Sequence, residues 1–277
     1  MVQIMNNIHR HQAETNLSYS LDLTDPYQAY MFGFFQADGH LYQTTRNRGK
    51  LQLEVQVADE HILEQFATLI PFTSSIVRRT RTTNFAAAHT SATLRVYDKK
   101  FRDALISLGM VPGKKATSLA LPSGSLSKRD YFRGIVDADG SLGLTGKHFP
   151  FVSLVTSSSV LADAYLHFLK EVTGQDKTSE RNKRDGVFNI VVYKEDAQAF
   201  VATLYYNGCL ALTRKKEAAK LVLSWTRPGN MRKVDFARKS WTSEEDSYVL
   251  GHTVDEASEF LQRTRQSIKM RLWRLRG

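Results

Sequence analysis

The chain has 277 residues, of which 42% are hydrophobic, and its 38 Lys and Arg residues outnumber its 28 Asp and Glu residues. This composition allows one large domain or two to three small ones, and no run of about 18 apolar residues predicts a membrane span. The N-terminus lacks the apolar stretch of a signal peptide, and Cys209 is alone, which excludes an internal disulfide and a cysteine-based zinc cluster. An intracellular protein, cytoplasmic or organellar and not secreted, is therefore expected. The net charge of +10 favours a polyanionic partner.

The N-terminal third of the sequence predicts three helices and two hairpins. Residues 1–24 are polar and are interpreted as an N-terminal extension, and Asp25 followed by proline predicts the start of the first helix. That helix continues into an apolar segment, residues 31–39, which ends in Ala-Asp-Gly. Alternating apolar and polar residues then predict strands at 41–48, 51–58, 76–83 and 90–97, with a helix over 59–70 between the two hairpins and another over 98–108.

The middle third repeats this order. The Pro-Ser-Gly-Ser stretch at 122–125 predicts a linker, and Ser127 with Asp130 resembles a capping box for the next helix. That helix runs into a second apolar segment, residues 132–140, which also ends in Ala-Asp-Gly. Strands are then predicted near 141–147, 151–156, 177–184 and 187–193, and helices near 159–173, 195–206 and 214–224.

A constant offset relates the two halves. Asp38 and Asp139 are 101 positions apart, and so are Lys114 and Lys215. Each lysine opens a Lys-Lys pair that precedes a predicted helix, and the helix after the first pair is expected to be short. The dipeptide at 96–97, Val-Tyr, also returns at 192–193 before a helix. These coincidences predict a duplicated unit of about one hundred residues, with repeats over 25–121 and 122–225.

The two Ala-Asp-Gly endings predict a shared site. Gly33 and Gly134 each lie four residues before an alanine, so each helix presents a face of small residues to a close helix–helix seam. The glycines that end the segments, 39 and 140, are expected in the left-handed conformation that terminates helices. Asp38 and Asp139 then lie at helix C-termini, where a carboxylate costs about 0.3–1 kcal/mol. One such ending is an ordinary helix terminus, but two at one seam predict a divalent cation site.

The C-terminal quarter differs in character. Residues 226–240 contain Pro-Gly and five basic residues and are interpreted as a basic linker, and 241–277 as a compact three-helix module. Ser243 and Thr253 are expected to cap its first two helices, and the third is expected to begin near Arg263. Its apolar residues predict a small core: Trp241, Val249, Leu250, Val254, Ala257, Phe260, Leu261, Ile268, Leu272, Trp273 and Leu275.

These motifs carry a family resemblance. The segments MFGFFQADG at 31–39 and FRGIVDADG at 132–140 resemble the paired motifs of single-chain LAGLIDADG homing endonucleases, over roughly residues 25–225. The resemblance implies an α+β fold in which two pseudo-symmetric αββαββα repeats form a saddle-like DNA-binding sheet. The segment WTSEED at 241–246 and the Arg-Thr pair before the last helix resemble a Myb-like, all-α helix-turn-helix domain.

The resemblance also implies a function. It points to a site-specific endodeoxyribonuclease that makes a Mg²⁺-dependent double-strand break in a long asymmetric duplex and acts as a monomer. Its gene would be a mobile genetic element, either inside an intron or free-standing. Asp38 and Asp139 would bind two or more Mg²⁺ ions, and Gln36 departs from the acid that usually stands two positions before this aspartate. The further catalytic residues would be Lys114, Lys215, Asp59 and Ser157. The residues expected to contact DNA are Arg46, Arg48, Arg78, Arg79, Arg81, Lys147, Arg181, Lys183, Arg184, Arg265, Gln266 and Lys269.

Two nucleic-acid binders without nuclease activity remain as alternatives. A catalytically inactive member of this fold would serve as an intron RNA maturase or as a DNA-binding regulator. Retention of both aspartates and both lysines favours the nuclease, because loss of activity would not preserve these groups in pairs. An intein-borne endonuclease is not expected, since the sequence does not end in His-Asn.

Overall fold

A computed structural model describes residues 19–82, 88–113, 117–229, 231 and 241–276. These residues form two compact units that divide between Arg227 and Pro228. Part of the predicted N-terminal extension belongs to the first unit, because Leu21 and Leu23 are buried in its core. No helix in the described ranges combines the length and the apolar character that crossing a bilayer requires.

The first repeat has the predicted αββαββα order. Asp25 caps the first helix by accepting from the backbone N–H groups of Tyr27 and Gln28. Its four strands form an antiparallel sheet in the order β1-β2-β4-β3. The elements are α1 (Pro26–Ala37), β1 (His40–Gln43), β2 (Gly49–Gln56), α2 (Glu60–Leu69), β3 (Ser74–Arg81), β4 (His89–Val96) and α3 (Lys99–Ser107), with single 3₁₀ turns at Thr45–Asn47 and Val57–Asp59.

The second repeat follows the same order with one strand fewer and one further helix at its end. Its sheet has three antiparallel strands in the order β5-β6-β7. The elements are α4 (Lys128–Asp139), β5 (Gly140–Leu144), β6 (Pro150–Thr156), α5 (Ser159–Thr173), β7 (Phe188–Tyr193), α6 (Lys194–Leu204) and α7 (Thr213–Leu223).

The strand predicted at 177–184 is wrong. Only an isolated antiparallel bridge joins Arg181 to Phe188. Continuing that register would pair Ser179 with Ile190 and place residues 177, 179 and 181 on the core side of the sheet, where Ile190 is buried. These positions hold Lys, Ser and Arg, which gain nothing from a core face, so the strand does not extend.

The two motif helices, α1 and α4, pack closely at their glycines. A Cβ atom added at Gly33 would lie 2.3 Å from the backbone oxygen of Tyr131, and one added at Gly134 would lie 2.2 Å from that of Tyr30. Such distances are far below van der Waals contact, so only glycine fits at either position. The predicted seam of small residues is confirmed at these two positions.

The expected left-handed glycines at the motif ends are wrong. Gly140 has φ −92° and ψ 176°, and Gly39 has no positive φ either. Glycine is required there for space: a Cβ atom at Gly39 would lie 2.7 Å from the backbone oxygen of Phe35, and one at Gly140 would lie 2.8 Å from that of Val136. The chain passes from α4 directly into β5, and from α1 into β1 after Asp38 and Gly39.

The second unit contains three short helices. They are α8 (Ser243–Gly251), α9 (Val254–Phe260) and α10 (Arg265–Arg276). Thr253 caps α9 as predicted, in a capping box with Glu256. The cap predicted at Ser243 is wrong by one residue, because Thr242 caps α8 in a second capping box with Glu245.

The core of the second unit is smaller than predicted. Four residues of the predicted set are buried, namely Val249, Ala257, Ile268 and Leu272. Three more of the predicted set are partly buried and pack against them together with Tyr248, namely Trp241, Val254 and Leu261. Three predicted core residues are exposed instead, namely Leu250, Phe260 and Trp273. Each lies next to a buried or partly buried position, and a step of one residue turns a side chain about 100° around a helix.

Candidate functional site

The two motif aspartates lie at the C-terminal ends of the packed helices α1 and α4. Asp38 is the residue after α1, and its backbone N–H bonds back to Phe34 and Phe35. Asp139 is the last residue of α4. Both residues are exposed, and the expected position of each at a helix C-terminus is confirmed.

Lys215 lies against the end of α4. Its Nζ donates to the backbone oxygens of Val136 (3.2 Å) and Gly140 (2.6 Å), at the C-terminal end of that helix. Burial lowers the pKa of Lys215 to about 8 from its usual 10.5, although the carboxylates of Asp137, Asp59 and Asp38 oppose the shift. Lys215 is therefore held within electrostatic reach of the motif aspartate of the other repeat.

The first turn of α7 also reaches the first repeat. Arg214 Nε lies 3.0 Å from Asp59 Oδ2, and Thr213 Oγ1 lies 3.2 Å from His61 Nε2. Asp59 is buried where β2 leads into α2, so its carboxylate is directed by an arginine that belongs to the second repeat. Asp59 was among the predicted site residues but Arg214 was not, since its one signal in the sequence is its place beside Lys215.

The predicted catalytic residues of the first repeat and those of the second repeat have different surroundings. Lys114 lies outside the described residues, and 117–127 contain no counterpart of α7, so the short helix predicted after the first Lys-Lys pair is wrong over that range. Ser157 is only half-buried, and its backbone oxygen accepts a hydrogen bond from the Arg181 guanidinium at 3.0 Å. Asp59 and Ser157 thus lie in chemically unlike surroundings.

A pair of tyrosines crosses the seam between α1 and α4. Tyr131 Oη donates to Gln36 Oε1 at 2.5 Å, and Tyr30 Oη donates to Asp137 Oδ2 at 2.7 Å. Tyr30 and Tyr131 share the 101-residue offset, and so do their acceptors. Gln36 thus takes the place of an acid inside a buried hydrogen bond, not at the exposed helix end. Neither tyrosine was among the predicted site residues, although the offset is visible in the sequence.

Asp137 is buried among three donors. Besides Tyr30, it accepts from Tyr205 Oη at 2.5 Å and from the backbone N–H of Leu212 at 2.8 Å. Burial raises the pKa of Asp137, and these hydrogen bonds counteract part of that effect. The Asp137 carboxylate therefore links α4 to Leu212, the residue just before α7, and so helps to position the helix that carries Lys215.

The predicted DNA contacts of the first repeat divide between two faces of the sheet. The register places Arg79 and Arg81 on the face that carries Gln52 and Glu54, away from the core. Arg81 pairs with Glu54 at 2.9 Å. Arg78 lies on the opposite face and pairs with Glu60 of α2 at 2.7 Å. The remaining two, Arg46 and Arg48, are exposed at the β1–β2 turn.

In the second repeat the predicted contacts lie on loops. Arg181 donates to the backbone oxygens of Gly186 and Ser157 and stacks over the Phe188 ring at 4.7 Å. Arg184 pairs with its neighbour Asp185. Lys183 and Lys147 are exposed, and Lys147 lines a cavity of about 500 Å³ with Lys177 and Lys194. In the second unit Arg265 pairs with Asp255 at 2.7 Å, while Gln266 and Lys269 are exposed.

The two aspartates fit a divalent ion that shares its ligands with a substrate. Within the described ranges, no group of three or more His, Cys, Asp or Glu residues is arranged to hold a metal. Mg²⁺ does not require such a cage, because it keeps several waters and binds through one or two carboxylates together with substrate phosphates. The exposed carboxylates of Asp38 and Asp139, at the C-terminal ends of the two motif helices, are suitable ligands for such an ion.

The chain was compared with known proteins. No curated protein matches it. Among solved structures, the meganuclease I-SmaMI bound to uncleavable DNA is 11% identical with a TM-score of 0.46, covering 72% of this chain and 90% of that one. The homing endonuclease I-GzeII with its DNA target is 15% identical (TM-score 0.43; 71% and 87% covered), and I-LtrWI bound to target DNA is 10% identical (0.44; 72% and 89%). These values are too low to carry an activity over to this chain.

Residues 127–205, which run from the cap of α4 to the residue after α6, match the family described as LAGLIDADG-like domain.

Proposed function

We propose that this chain is a site-specific, metal-dependent homing endonuclease that cuts both strands of a long asymmetric DNA duplex. The observation that carries the proposal is the pair of exposed carboxylates, Asp38 and Asp139, at the ends of two helices related by a 101-residue offset. The match of the second repeat to the LAGLIDADG-like family and the net charge of +10 support it.

Asp38 and Asp139 would hold Mg²⁺ at the centre of the seam. When bound, the metal supplies a hydroxide at neutral pH and neutralises the charge that develops on the phosphate and on the leaving oxygen. The chain contributes rigidity, because the glycine-lined seam and the two crossing tyrosine hydrogen bonds fix the spacing of the helix ends.

Lys215 and Arg214 would act beside the aspartates. Lys215 is locked by two backbone oxygens and, in its protonated form, offers a positive charge near the scissile phosphate. Arg214 orients the Asp59 carboxylate through its ion pair. Since Ser157 stands at the equivalent place of the second repeat, we expect the two strands to be cut at different rates.

DNA would lie along the polar sheet faces. Arg79 and Arg81, the exposed turn residues Arg46 and Arg48, and the loop cations of the second repeat would hold phosphates and read base edges. The second unit would add a separate contact through the start of α10, where Gln266 and Lys269 are exposed. Joining two binding units raises the effective concentration of the second at the DNA.

The test is cleavage of the DNA that flanks the gene, with Mg²⁺ and with a chelator. The intact chain should linearise a plasmid that carries this DNA only when metal is present. Asp38→Asn and Asp139→Asn should each abolish double-strand cleavage and leave DNA binding largely intact. Tight binding without cleavage by the intact chain would show an inactive binder instead. Wild-type double-strand cutting by either variant would contradict the assignment of the aspartates.

A further inference from the structure

The outer face of α10 combines apolar and basic side chains. Trp273 is 71% exposed and Met270 is 44% exposed, whereas Ile268 and Leu272 on the opposite face are buried. Spacings of three, four and seven residues place Gln266, Lys269, Met270 and Trp273 on one stripe of the helix. The third helix of the second unit thus presents its largest side chain to solvent.

The fold of the second unit does not use Trp273. Its core consists of Val249, Ala257, Ile268 and Leu272, and Trp241 packs at its edge beneath the Arg263 guanidinium at 4.0 Å. An indole offers roughly 150–250 Å² of surface for burial. Leaving most of that surface in water yields little stability, so its position is better explained by a ligand.

Charge indicates what kind of ligand this is. Within residues 241–276 the acidic residues lie on α8 and α9, and α10 contains none. Arg265 and Arg271 of α10 pair with Asp255 and Asp246, but in the described part of the chain no ion pair engages Lys269 or Arg274. The stripe therefore suits a polyanion that also offers flat apolar groups, which describes a nucleic acid. A membrane surface fits less well, because helices that lie on membranes carry a broad apolar face.

We propose that Trp273, supported by Met270, contacts duplex DNA directly, against a sugar or a base, while Lys269 and Arg274 hold the adjacent phosphates. This assignment rests on the proposed function, in which the second unit binds DNA. It extends that contact from the start of α10 to positions about two turns further along the same stripe.

The test compares four full-length chains for binding to a mixed-sequence duplex over a series of salt concentrations. Trp273→Gln should weaken binding about tenfold at every salt concentration without changing the salt slope, because an apolar contact releases no counterions. Lys269→Gln should lower the slope by about 0.9. Phe260→Gln is the matched control: Phe260 is 67% exposed but lies on α9, so binding should be unchanged. Circular dichroism would show that each variant folds.

A second readout follows Trp273 itself. The emission difference between the intact chain and Trp273→Phe should respond to the duplex and not to anionic phospholipid vesicles. Unaltered affinity of Trp273→Gln at every salt concentration would overturn the proposal, and so would a Trp273 signal that responds to vesicles alone. If the intact chain binds no duplex at all, the proposed function itself fails, which is a distinguishable result.

Discussion

At the scale of single residues, the site depends on polar groups that are buried against specific partners. Lys215 and Asp137 both lose water. Two backbone oxygens accept from Lys215, whereas Asp137 accepts from two tyrosine hydroxyls and one backbone N–H. The sequence offset could identify Lys215 as a candidate. It could not show that Lys215 is buried, because burial is decided by how α7 meets the end of α4.

Burial of Lys215 predicts a pH effect on stability. The unfolded chain keeps this proton up to a pKa near 10.5, whereas the folded chain releases it near 8. Between these values the unfolded state binds more protons, so this group makes the free energy of unfolding rise with pH, by about 3 kcal/mol over the whole window. Chemical denaturation across pH 8 to 10.5 should show a flatter profile for Lys215→Met. The control is Lys216→Met, at an exposed neighbour, and an unchanged profile for Lys215→Met would contradict the burial of this charge.

The crossing tyrosines predict unequal costs for equivalent substitutions. Tyr30→Phe removes a donor from the Asp137 carboxylate and should cost about 1.5–3 kcal/mol of unfolding free energy. Tyr131→Phe removes the equivalent donor from the neutral Gln36 amide and should cost about 0.5–1.5 kcal/mol. Urea denaturation of both variants measures the difference. Equal losses of stability would indicate that Asp137 is protonated in the folded chain.

At the scale of elements, the α1–α4 seam organises the first unit. Most helices and strands could be predicted from hydrophobic periodicity and capping residues, because these signals are local. The packing of the two motif helices could be predicted from their small residues. The role of Gly39 and Gly140 could not, since it depends on backbone oxygens that approach from the preceding helix and, for Gly140, also from Ser153 of β6. The absence of a strand at 177–184 could not be foreseen either. Only the register set by the Arg181–Phe188 bridge shows that polar residues of this segment would face the core.

The seam should tolerate no Cβ atom at its glycines. Gly33→Ala and Gly134→Ala would force a methyl group to within about 2.3 Å of a backbone oxygen, so each should cost about 3 kcal/mol, the upper end of the usual range for overpacking, or prevent folding. Thermal unfolding measures the loss of stability. Gly146→Ala is the control, because nothing lies within 4 Å of a Cβ atom added there. Similar melting temperatures for Gly33→Ala and Gly146→Ala would show that the helices are further apart.

At the scale of the whole molecule, the described residues form two compact units. Sequence composition predicts the end of the second repeat at residue 225, and the compact unit ends at Arg227. The unit extends to Arg227 because this residue pairs with Glu195, and just before it the Trp225 backbone oxygen accepts from Gln198 at 2.6 Å. Composition marks a change of domain but does not reveal such pairings.

A chain that ends at Arg227 should therefore fold and still cut its target at saturating concentration. It should bind DNA more weakly, and its plot of log K against log salt should be shallower by about 0.9 for each phosphate that the second unit neutralises in the intact chain. Anisotropy titrations at several salt concentrations measure both quantities. Equal affinity of the shortened and intact chains at every salt concentration would show that the second unit has a different partner.

The bridge between Arg181 and Phe188 has a consequence for how this chain could evolve. The turn that a fourth strand needs already exists, since Asn182 N–H donates to the Val187 oxygen at 2.8 Å and Gly186 has φ +70°. Only the residues before it oppose a strand, and Lys177 and Ser179 are the two that would face Val192 and Ile190. Replacing both with valine should let the strand extend, which slower amide exchange over 177–181 would reveal. Two substitutions would thus convert the three-stranded sheet of the second repeat into a four-stranded sheet like that of the first repeat. Unchanged amide exchange over 177–181 would show that these two side chains are not what prevents the strand from forming.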